Sequence, residues 1–248
     1  MATAAHVHKV RVPLFEEVGV IDWNDVAGAS RLTQTLIRRF AEDKPLFRKV
    51  LHAVIEDPHL WSQCEEEVVE DKIVLWDDEE KGLRIRLRIS TAPQQRLAHC
   101  HRFSFTNLVL RGSYLHWGYT LDGEFTEATD PNDFKTVLLH EDRAGDCFTI
   151  FHEALHSTPF TQPGTVSLVL RGNPVKERAP VMFKEPRARQ RAFEERAAAP
   201  RSGRVIEPEE AATGDMFYRH TTAPDERMPM SGEKFRHWCR WLEAEGLV

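Results

Sequence analysis

The sequence predicts a mainly β protein whose middle closes into a sandwich or small barrel, with a helical N-terminal extension and a partly helical C-terminal tail. Three observations predict this fold class. Apolar residues recur at helical spacing through the first part of the chain, they alternate with polar residues from about residue 72, and turn residues then separate several short segments. These changes divide the chain at 1–71, 72–183 and 184–248, with the N-terminal extension packed on the barrel.

Two amphipathic helices are predicted in the N-terminal extension. Ser30 is a candidate N-cap of the first, because its hydroxyl can accept a hydrogen bond from an N–H of the first turn. The apolar face behind it comprises Leu32, Leu36, Ile37 and Phe40. A second face runs up to residues 57–58 and comprises Phe47, Val50, Leu51, Val54 and Ile55. Such faces are typical of core packing.

The strands begin at residue 72. Residues 72–76 form the first predicted strand, residues 77–82 a turn, and residues 83–89 a strictly alternating strand. One face of this alternating strand is apolar, and the other carries Arg84, Arg86 and Arg88. Further strands are predicted over 103–111, 113–120, 136–140, 147–152 and 165–171.

A short internal repeat lies inside the β region. The segment Asn-Leu-Val-Leu-Arg-Gly at 107–112 reappears as Ser-Leu-Val-Leu-Arg-Gly at 167–172, and each copy follows a group of histidines. Two copies of a strand beside a histidine group indicate a double Greek key.

The C-terminal tail differs in composition. Its sequence predicts a charged helix over 185–196, a loose linker over 197–203 and a stretch with few apolar anchors over 207–225. The chain closes with an amphipathic helix over 231–247, whose apolar face carries Phe235, Trp238 and Leu242. This helix either docks on the main domain or serves a homodimer contact.

Composition and charge exclude several classes of function. The 248 residues contain 39 acidic and 33 basic side chains, for a net charge of −6, whereas a protein that binds nucleic-acid phosphates is usually basic. No apolar run approaches the length of a membrane span, and residues 1–12 lack the apolar core of a signal peptide. The four cysteines are widely scattered, so free thiols and a cytoplasmic location are expected.

Two groups of histidines carry the chemistry. His99 and His101 flank Cys100, and in an extended chain both imidazoles lie on one face, about 7 Å apart along the backbone. Two neutral imidazoles that converge from one face can chelate a transition metal. The second group, His152 and His156, comes after a predicted strand.

The second group also matches H-E-x-x-H, the zinc-peptidase signature. That chemistry needs a helix, so that histidines four apart share one face with the glutamate as general base. The context argues against a helix, because residues 149–151 favour a strand and Ser-Thr-Pro follows at 157–159.

Together, the two groups resemble the two motifs of the cupin superfamily. The first cupin motif is H-x-H, three or four residues, a glutamate, six residues and a glycine. In this chain His99, His101, Phe105 and Gly112 stand at the corresponding positions.

The second cupin motif begins with a glycine and places a histidine eleven residues later, as Gly145 and His156 are placed here. The proline, the second glycine and the asparagine of that motif are replaced by Phe151, Glu153 and Phe160. The resemblance covers about residues 72–183 and implies a double-stranded β-helix (jelly-roll) barrel.

The resemblance also implies a metal site. Cupins usually hold one metal through the H-x-H pair, the glutamate and the later histidine, which correspond here to His99, His101 and His156 without the carboxylate, because Phe105 or Thr106 stands at its position. The implied site is three neutral imidazoles with open positions. Such a site suits Fe(II), with Mn, Ni and Zn as alternatives.

Within the cupins, segments 99–112 and 156–168 are most similar to cysteine dioxygenase and related thiol dioxygenases. This similarity implies an Fe(II)-dependent oxygenase or dioxygenase that inserts oxygen from O2 into a small, polar, anionic metabolite. No cysteine stands at the position of that family's cysteine–tyrosine crosslink, which argues against cysteine itself as the substrate.

Further residues are candidates for substrate and proton chemistry. Arg84, Arg86 and Arg88 either clamp a substrate carboxylate inside the barrel or form a solvated outer face. Tyr114 and His116 share a strand face and are candidate catalytic residues that relay protons or orient O2. His152 is a fourth ligand, a donor to a ligand, or a structural histidine.

Two other functions remain open at this stage. One is a metal-dependent cupin without redox chemistry, an isomerase or lyase that uses its metal as a Lewis acid. The other is a non-enzymatic cupin that binds a ligand or acts as a sensor. The fold does not distinguish either alternative from an oxygenase, because one fold supports many functions.

Overall fold

The computed structural model of the protein describes residues 6, 8–67, 70–92, 94–126, 129–177, 179–182, 217–219 and 228–248. The helix predicted over 185–196 and the linker predicted over 197–203 lie outside these residues, as does most of the stretch over 207–225.

The helices lie near the two ends of the chain. They are α1 (Pro13–Glu16), α2 (Val26–Glu42), α3 (Lys44–Ala53), α4 (Pro58–Trp61) and α5 (Gly232–Ala244), with short 3-10 helices at Val54–Glu56 and Pro131–Asp133. The strands are β1 (Glu65–Glu66), β2 (Glu70–Asp78), β3 (Leu83–Ser90), β4 (Gln94–His99), β5 (Phe105–Arg111), β6 (Ser113–Thr120), β7 (Lys135–Arg143), β8 (Cys147–Ile150), β9 (Leu155–Thr161), β10 (Val166–Arg171), β11 (Ala179–Val181), β12 (Phe217–Arg219) and β13 (Met228–Pro229).

The strands form two antiparallel sheets. The seven-stranded sheet has the order β13-β1-β2-β3-β10-β5-β8, and the six-stranded sheet has the order β12-β11-β4-β9-β6-β7. Four strands of each sheet, β3-β10-β5-β8 and β4-β9-β6-β7, have the interleaved order of a double-sheet jelly roll. The predicted mainly β jelly-roll fold with helical extensions is therefore confirmed.

The internal repeat corresponds to two neighbouring strands. β5 and β10 pair antiparallel, with Leu168 opposite Leu108 and Val169 opposite Asn107. Gly112, the last residue of the first copy, has a φ of +77°, and a Cβ atom built on it would lie 2.4 Å from Thr165 Oγ1. A glycine is needed there both for its left-handed backbone and for the close approach of the next strand.

The N-terminal helices pack against the face of β3 opposite its arginines. Leu83, Ile85, Leu87 and Ile89 are each at most 1% exposed. They share one core with Phe15, Phe40, Phe47, Leu36 and Ile37. Burying a side chain of this size contributes about 1.5–3 kcal/mol, so the extension completes the core of the barrel sheet.

The start of α2 differs from the prediction. Asp25, not Ser30, is the N-cap, and its side chain accepts a 2.9 Å hydrogen bond from the Gly28 N–H. Ser30 lies inside the helix and donates to Thr149 Oγ1 at 3.1 Å. Leu32, assigned to the apolar face, is 39% exposed. The helix begins earlier because a carboxylate caps as well as a hydroxyl does.

Helix α5 docks on the same core. Phe235, Trp238 and Leu242 are buried within it. The indole Nε1–H of Trp238 donates to Asp71 Oδ2 of β2 at 2.7 Å. Among the described residues, no helix combines the length and the hydropathy needed to cross a membrane.

In the six-stranded sheet, β11 and β12 were not predicted, and neither were the two central strands, β4 and β9. Neither sequence alternates clearly, and Pro159 lies inside β9. These two strands nevertheless carry His99 and His156, which stand opposite each other in the pair.

Candidate metal centre

A cavity lies between the two sheets of the jelly roll. Both sheets contribute to its wall, and polar side chains dominate it. The lining residues are Glu70, Arg88, Ser90, His99, His101, Phe105, Asn107, Tyr114, His116, Phe148, His156, Thr158, Thr161, Thr165 and Ser167.

Three histidines meet in this cavity. His99 ends β4 and stands opposite His156 of β9, while His101 follows β4 in the next loop. One ring nitrogen of each lies within 4.8 Å of one from each of the others. Nε2 of His101 is 2.7 Å from Nε2 of His156. The histidines that the cupin resemblance implied are thus brought together around one point.

The other ring nitrogens of two of these histidines are held by neighbours. Nδ1 of His99 is 2.7 Å from the carbonyl oxygen of Leu97, which can only accept a hydrogen bond. Nδ1 of His99 therefore carries the proton, and Nε2 keeps its lone pair. This arrangement fixes the tautomer and the orientation of a metal-ligating imidazole.

His156 is held by a chain of hydrogen bonds that runs toward the surface. Its Nδ1 is 2.9 Å from Nε2 of His116, and Nδ1 of His116 is 3.0 Å from Oδ2 of Asp142. The other oxygen of Asp142 accepts from Nε2 of His140 at 2.8 Å. Because the Asp142 carboxylate accepts, His116 donates through Nδ1 and receives the Nδ1–H of His156. Nε2 of His156 is then unprotonated and can offer its lone pair to a metal.

No carboxylate belongs to the three-histidine group among the described residues. The ring of Phe105 lies edge-on to that of His101, with centroids 4.8 Å apart. Thr106 faces the helical extension, where its hydroxyl is 2.5 Å from Thr33 Oγ1 and 2.8 Å from Thr149 Oγ1. Of the two residues considered for the motif's glutamate position, Phe105 is the one in the cavity. The donor set therefore fits a divalent transition metal held by three neutral imidazoles.

The three predicted arginines face the interior of the barrel, but only Arg88 lines the cavity. Glu70 pairs with its guanidinium. Burial acts to lower the pKa of Arg88, but the ion pair with Glu70 more than offsets this and raises that pKa. Arg84 instead forms a bidentate pair with Asp77 at 2.6 and 2.7 Å, and Arg86 does not line the cavity. The guanidinium of Arg84 is therefore engaged in an ion pair within the fold.

Tyr114 contributes a buried hydroxyl to the cavity. Its oxygen accepts a 2.5 Å hydrogen bond from the Asn107 amide, so its O–H proton remains available for a different acceptor. Burial, with a smaller contribution from Asp142, raises the pKa of Tyr114 well above its ordinary value. The hydroxyl therefore stays protonated at neutral pH and can donate a hydrogen bond while it accepts the one from Asn107.

His152 lies outside the group. Its Nδ1 is 3.2 Å from the hydroxyl of Ser104, and residues 151–154 are not helical. The H-E-x-x-H signature thus lacks the helix that a zinc peptidase needs. All four cysteines are free, and burial raises the pKa of the Cys100 thiol, whose sulfur lies 3.4 Å from Lys176 Nζ.

Glu70, Asn107 and Asp142 are among the residues of the site that were not found from the sequence. The pattern His140-x-Asp142 places two polar side chains on one face of β7, and His140 stands opposite His116 of β6. That alternation is the signal that could have revealed Asp142. Glu70 and Asn107 have no such signal, because their partners are far away in sequence or on another strand.

Comparisons with known proteins give only distant similarity. No family model matches the chain, and no curated protein matches it. Among solved structures, it is similar to KdgF from Halomonas sp. (16% identity over 46% of this chain and 89% of that chain, TM-score 0.32). It is also similar to an RmlC-like cupin from Shewanella frigidimarina (15% identity, 45% and 85%, TM-score 0.31).

A third similar structure is the oxalate decarboxylase from Lactobacillus farciminis in complex with formate (12% identity, 54% of this chain and 39% of that chain, TM-score 0.36). One of these three proteins is described as a cupin, but the TM-scores are so low that the fold assignment rests on the strand order of the two sheets.

Proposed function

We propose that this protein is an Fe(II)-dependent oxygenase or dioxygenase that acts on a small, polar, anionic metabolite at a metal held by His99, His101 and His156. One observation carries the proposal: three imidazoles converge in a cavity between the sheets, and no carboxylate among the described residues joins them. This ligand set is also the feature that the chain shares with the thiol dioxygenases. The metal, when bound, would supply open positions for the substrate and O2 side by side.

The charge of the cavity favours an anionic substrate. Three neutral imidazoles leave the charge of a divalent ion uncompensated, so that an anionic group binds there with a Coulombic gain in a poorly solvated space. The Arg88 guanidinium offers a second contact, because its Nε is buried and has no hydrogen-bond partner among the described residues. Glu70 holds that guanidinium in place. A substrate with an acidic group and a second polar group would fit both positions.

His116 and Asp142 would maintain the ligand geometry. A proton on Nδ1 of His116 is held by Asp142, and this leaves Nε2 of His116 to accept from Nδ1 of His156. Both side chains are 2% exposed, so water does not compete for these hydrogen bonds. The role of His116 is then to position His156, rather than to exchange protons with the substrate.

Tyr114 is the residue best placed to donate a hydrogen bond to the bound substrate. Its hydroxyl lines the cavity, and Asn107 occupies one lone pair of its oxygen. The aromatic rings of Phe105 and Phe148 form the apolar part of the wall and limit the access of water.

The test combines metal analysis with oxygen uptake. Untagged protein, purified without added metal, is analysed for bound elements, loaded with Fe(II) under anaerobic conditions, and mixed with small thiols and amino-acid-like acids in an oxygen electrode. We expect near-stoichiometric iron and substrate-dependent oxygen uptake. His99→Ala should lose both, while the matched variant His152→Ala should keep both, because His152 lies outside the group.

Other outcomes would favour the other functions. Bound Mn, Ni or Zn without oxygen uptake would favour an isomerase or lyase that uses the metal as a Lewis acid. A protein that binds no metal even after anaerobic loading with Fe(II) would be a ligand-binding or sensor protein.

A further inference from the structure

A second group of histidines lies on the N-terminal extension, outside the residues that line the cavity. His6 and His8 are separated by one residue, and Asp57 stands at the start of α4. One ring nitrogen of each histidine and one carboxylate oxygen of Asp57 all lie within 4.8 Å of one another. Nε2 of His6 is 2.9 Å from Oδ2 of Asp57.

The two carboxylate oxygens of Asp57 make different contacts. Oδ1 accepts from the backbone N–H groups of His59 at 3.1 Å and Leu60 at 3.2 Å. Oδ2 faces His6. The side chain is almost fully buried, so its negative charge is shielded from water and calls for a positive partner.

Both imidazoles are held by stacking. The ring of His8 stacks on Trp76, with centroids 3.5 Å apart and planes at 15°, and the ring of His6 stacks on His59 at 4.3 Å and 28°. Stacking uses the faces of a ring and leaves the nitrogen lone pairs, which lie in its plane, available. The stacking therefore fixes both rings without using a nitrogen atom, and Nε2 of His6 is turned toward Asp57.

The ring nitrogens of His8 are poorly paired. Both of its nitrogens are buried, and neither makes a hydrogen bond of normal geometry among the described residues, although the Asp77 backbone lies close enough to act on the pKa of His8. A buried polar atom that remains unpaired costs free energy, and a metal ion would remove part of this cost. The group formed by His116, His140 and Asp142 differs, because both nitrogens of His116 are already engaged, with Asp142 and His156.

We propose that His6, His8 and Asp57 bind a divalent transition-metal ion, of the Zn²⁺ class, at a site independent of the barrel. Two imidazoles and one carboxylate are a donor set that proteins use for zinc, with water at the fourth position. Asp57 supplies the negative charge that the barrel group lacks. The ion ties the N-terminal segment to α4 and, through the His8–Trp76 stack, to β2.

The experiment is a Zn²⁺ titration by isothermal calorimetry of untagged, chelator-treated protein in which His99→Ala/His101→Ala has disabled the barrel group. We expect this variant to bind one ion per chain and to melt at a higher temperature with Zn²⁺ than without it. Adding His6→Ala/His8→Ala should abolish both effects. The matched control His237→Ala, which removes an exposed histidine from α5, should change neither.

Asp57→Asn is a second variant that distinguishes loss of Zn²⁺ binding from misfolding. Asparagine keeps the Oδ1 acceptor that caps α4 but removes the charge and the Oδ2 ligand. This variant should melt like the parent without metal and lose the Zn²⁺ response. The proposal is wrong if the barrel-disabled protein binds no Zn²⁺ while folded, or if it binds equally well after His6 and His8 are replaced. Neither result affects the proposed oxygenase, which depends on the barrel group.

Discussion

The barrel and the N-terminal extension each carry a compact histidine group, but the two groups are held in different ways. In the barrel, His99 and His156 use their second nitrogens in hydrogen bonds to Leu97 and His116. On the extension, His6 and His8 lie against the rings of His59 and Trp76. Hydrogen bonds select one tautomer and one direction for a lone pair, whereas stacking fixes only the plane of the ring.

The two groups also differ in charge. The barrel group has no carboxylate among the described residues, and the group on the extension includes Asp57. Burial, helped by His6, lowers the pKa of His8 to about 4, so its ring is neutral at physiological pH. A divalent ion would be partly neutralised on the extension but would keep its charge in the barrel. From this difference we expect the proposed barrel site to be reactive and the proposed site on the extension to be stabilising.

The largest effect should come from removing a barrel ligand. His156→Ala deletes one donor and also leaves Nε2 of His116 without its partner. We expect metal in the barrel to fall to the background of elemental analysis, while the Zn²⁺ that binds to the extension remains. Loss of metal from both regions in a folded variant would contradict their independence.

The next effect concerns Asp77, which joins the two regions. It accepts from His59 at 2.8 Å and binds Arg84 in a bidentate pair. Arg84→Met would leave a buried carboxylate without its cation, which costs roughly 3 kcal/mol of the free energy of unfolding. Urea denaturation at pH 7 measures this loss, and Arg111→Met, which removes an exposed ion pair with Glu245, should cost less than about 1 kcal/mol.

The ion pair between Asp77 and Arg84 also predicts how the free energy of unfolding depends on pH. Burial acts to raise the pKa of Asp77, but Arg84 more than offsets it, and the pKa lies below its usual range. A carboxylate with a lowered folded-state pKa stabilises the protein above its unfolded pKa of about 4, and this stability is lost as the pH falls further. Arg84→Met should therefore flatten the fall in stability on acidification. If the free energy of unfolding falls equally steeply with acidification in the variant, other carboxylates dominate the pH dependence.

A smaller effect is expected from the support of a ligand in the barrel. Asp142→Asn removes the charge that orients His116 but leaves all three ligands, and loss of such a support usually costs about 10–100-fold in metal affinity. Competition with a chromophoric chelator measures the change. The neighbouring exposed carboxylate offers the matched variant Glu141→Gln, which should leave the affinity unchanged, and an equal loss in both variants would count against the role of Asp142.

The smallest effect tests stacking as the support on the extension. His59→Ala removes the ring beneath His6, and His59→Phe restores a ring without restoring the hydrogen bond to Asp77. We expect Zn²⁺ affinity to fall several-fold in the first variant and to recover in the second. If both variants lose affinity alike, the hydrogen bond and not the stack supports the site.

Much of the fold could be predicted because its signals are local. The alternation over 83–89 and the helical faces behind Phe40 and Phe47 arise from residues close together in sequence, and each element depends mainly on its own buried face. β4 and β9 were missed because their strand conformation is stabilised by pairing with each other and not by alternation. In such strands, tertiary hydrogen bonds outweigh propensity.

The arginines of β3 show the same limit. The sequence showed that the three arginines share one face of the strand. It did not show whether that face is exposed to solvent or lies inside the barrel. Only the position of β3 between β2 and β10, with its apolar face covered by helices, turned the arginines inward. Arg84 and Arg88 then differ in their surroundings, because Arg84 pairs with Asp77 and Arg88 pairs with Glu70.

The sequence by itself determined the jelly-roll class, the replacement of the motif glutamate by an apolar residue, and which histidines belong together, because motif spacing records positions along a strand. Only the tertiary structure decided that Asp142 and His116 hold His156, that Glu70 faces Arg88, and that His6 and His8 meet Asp57. Each of these contacts joins residues far apart in the chain or on different strands. Their proximity follows from sheet order and helix docking, which no local pattern encodes.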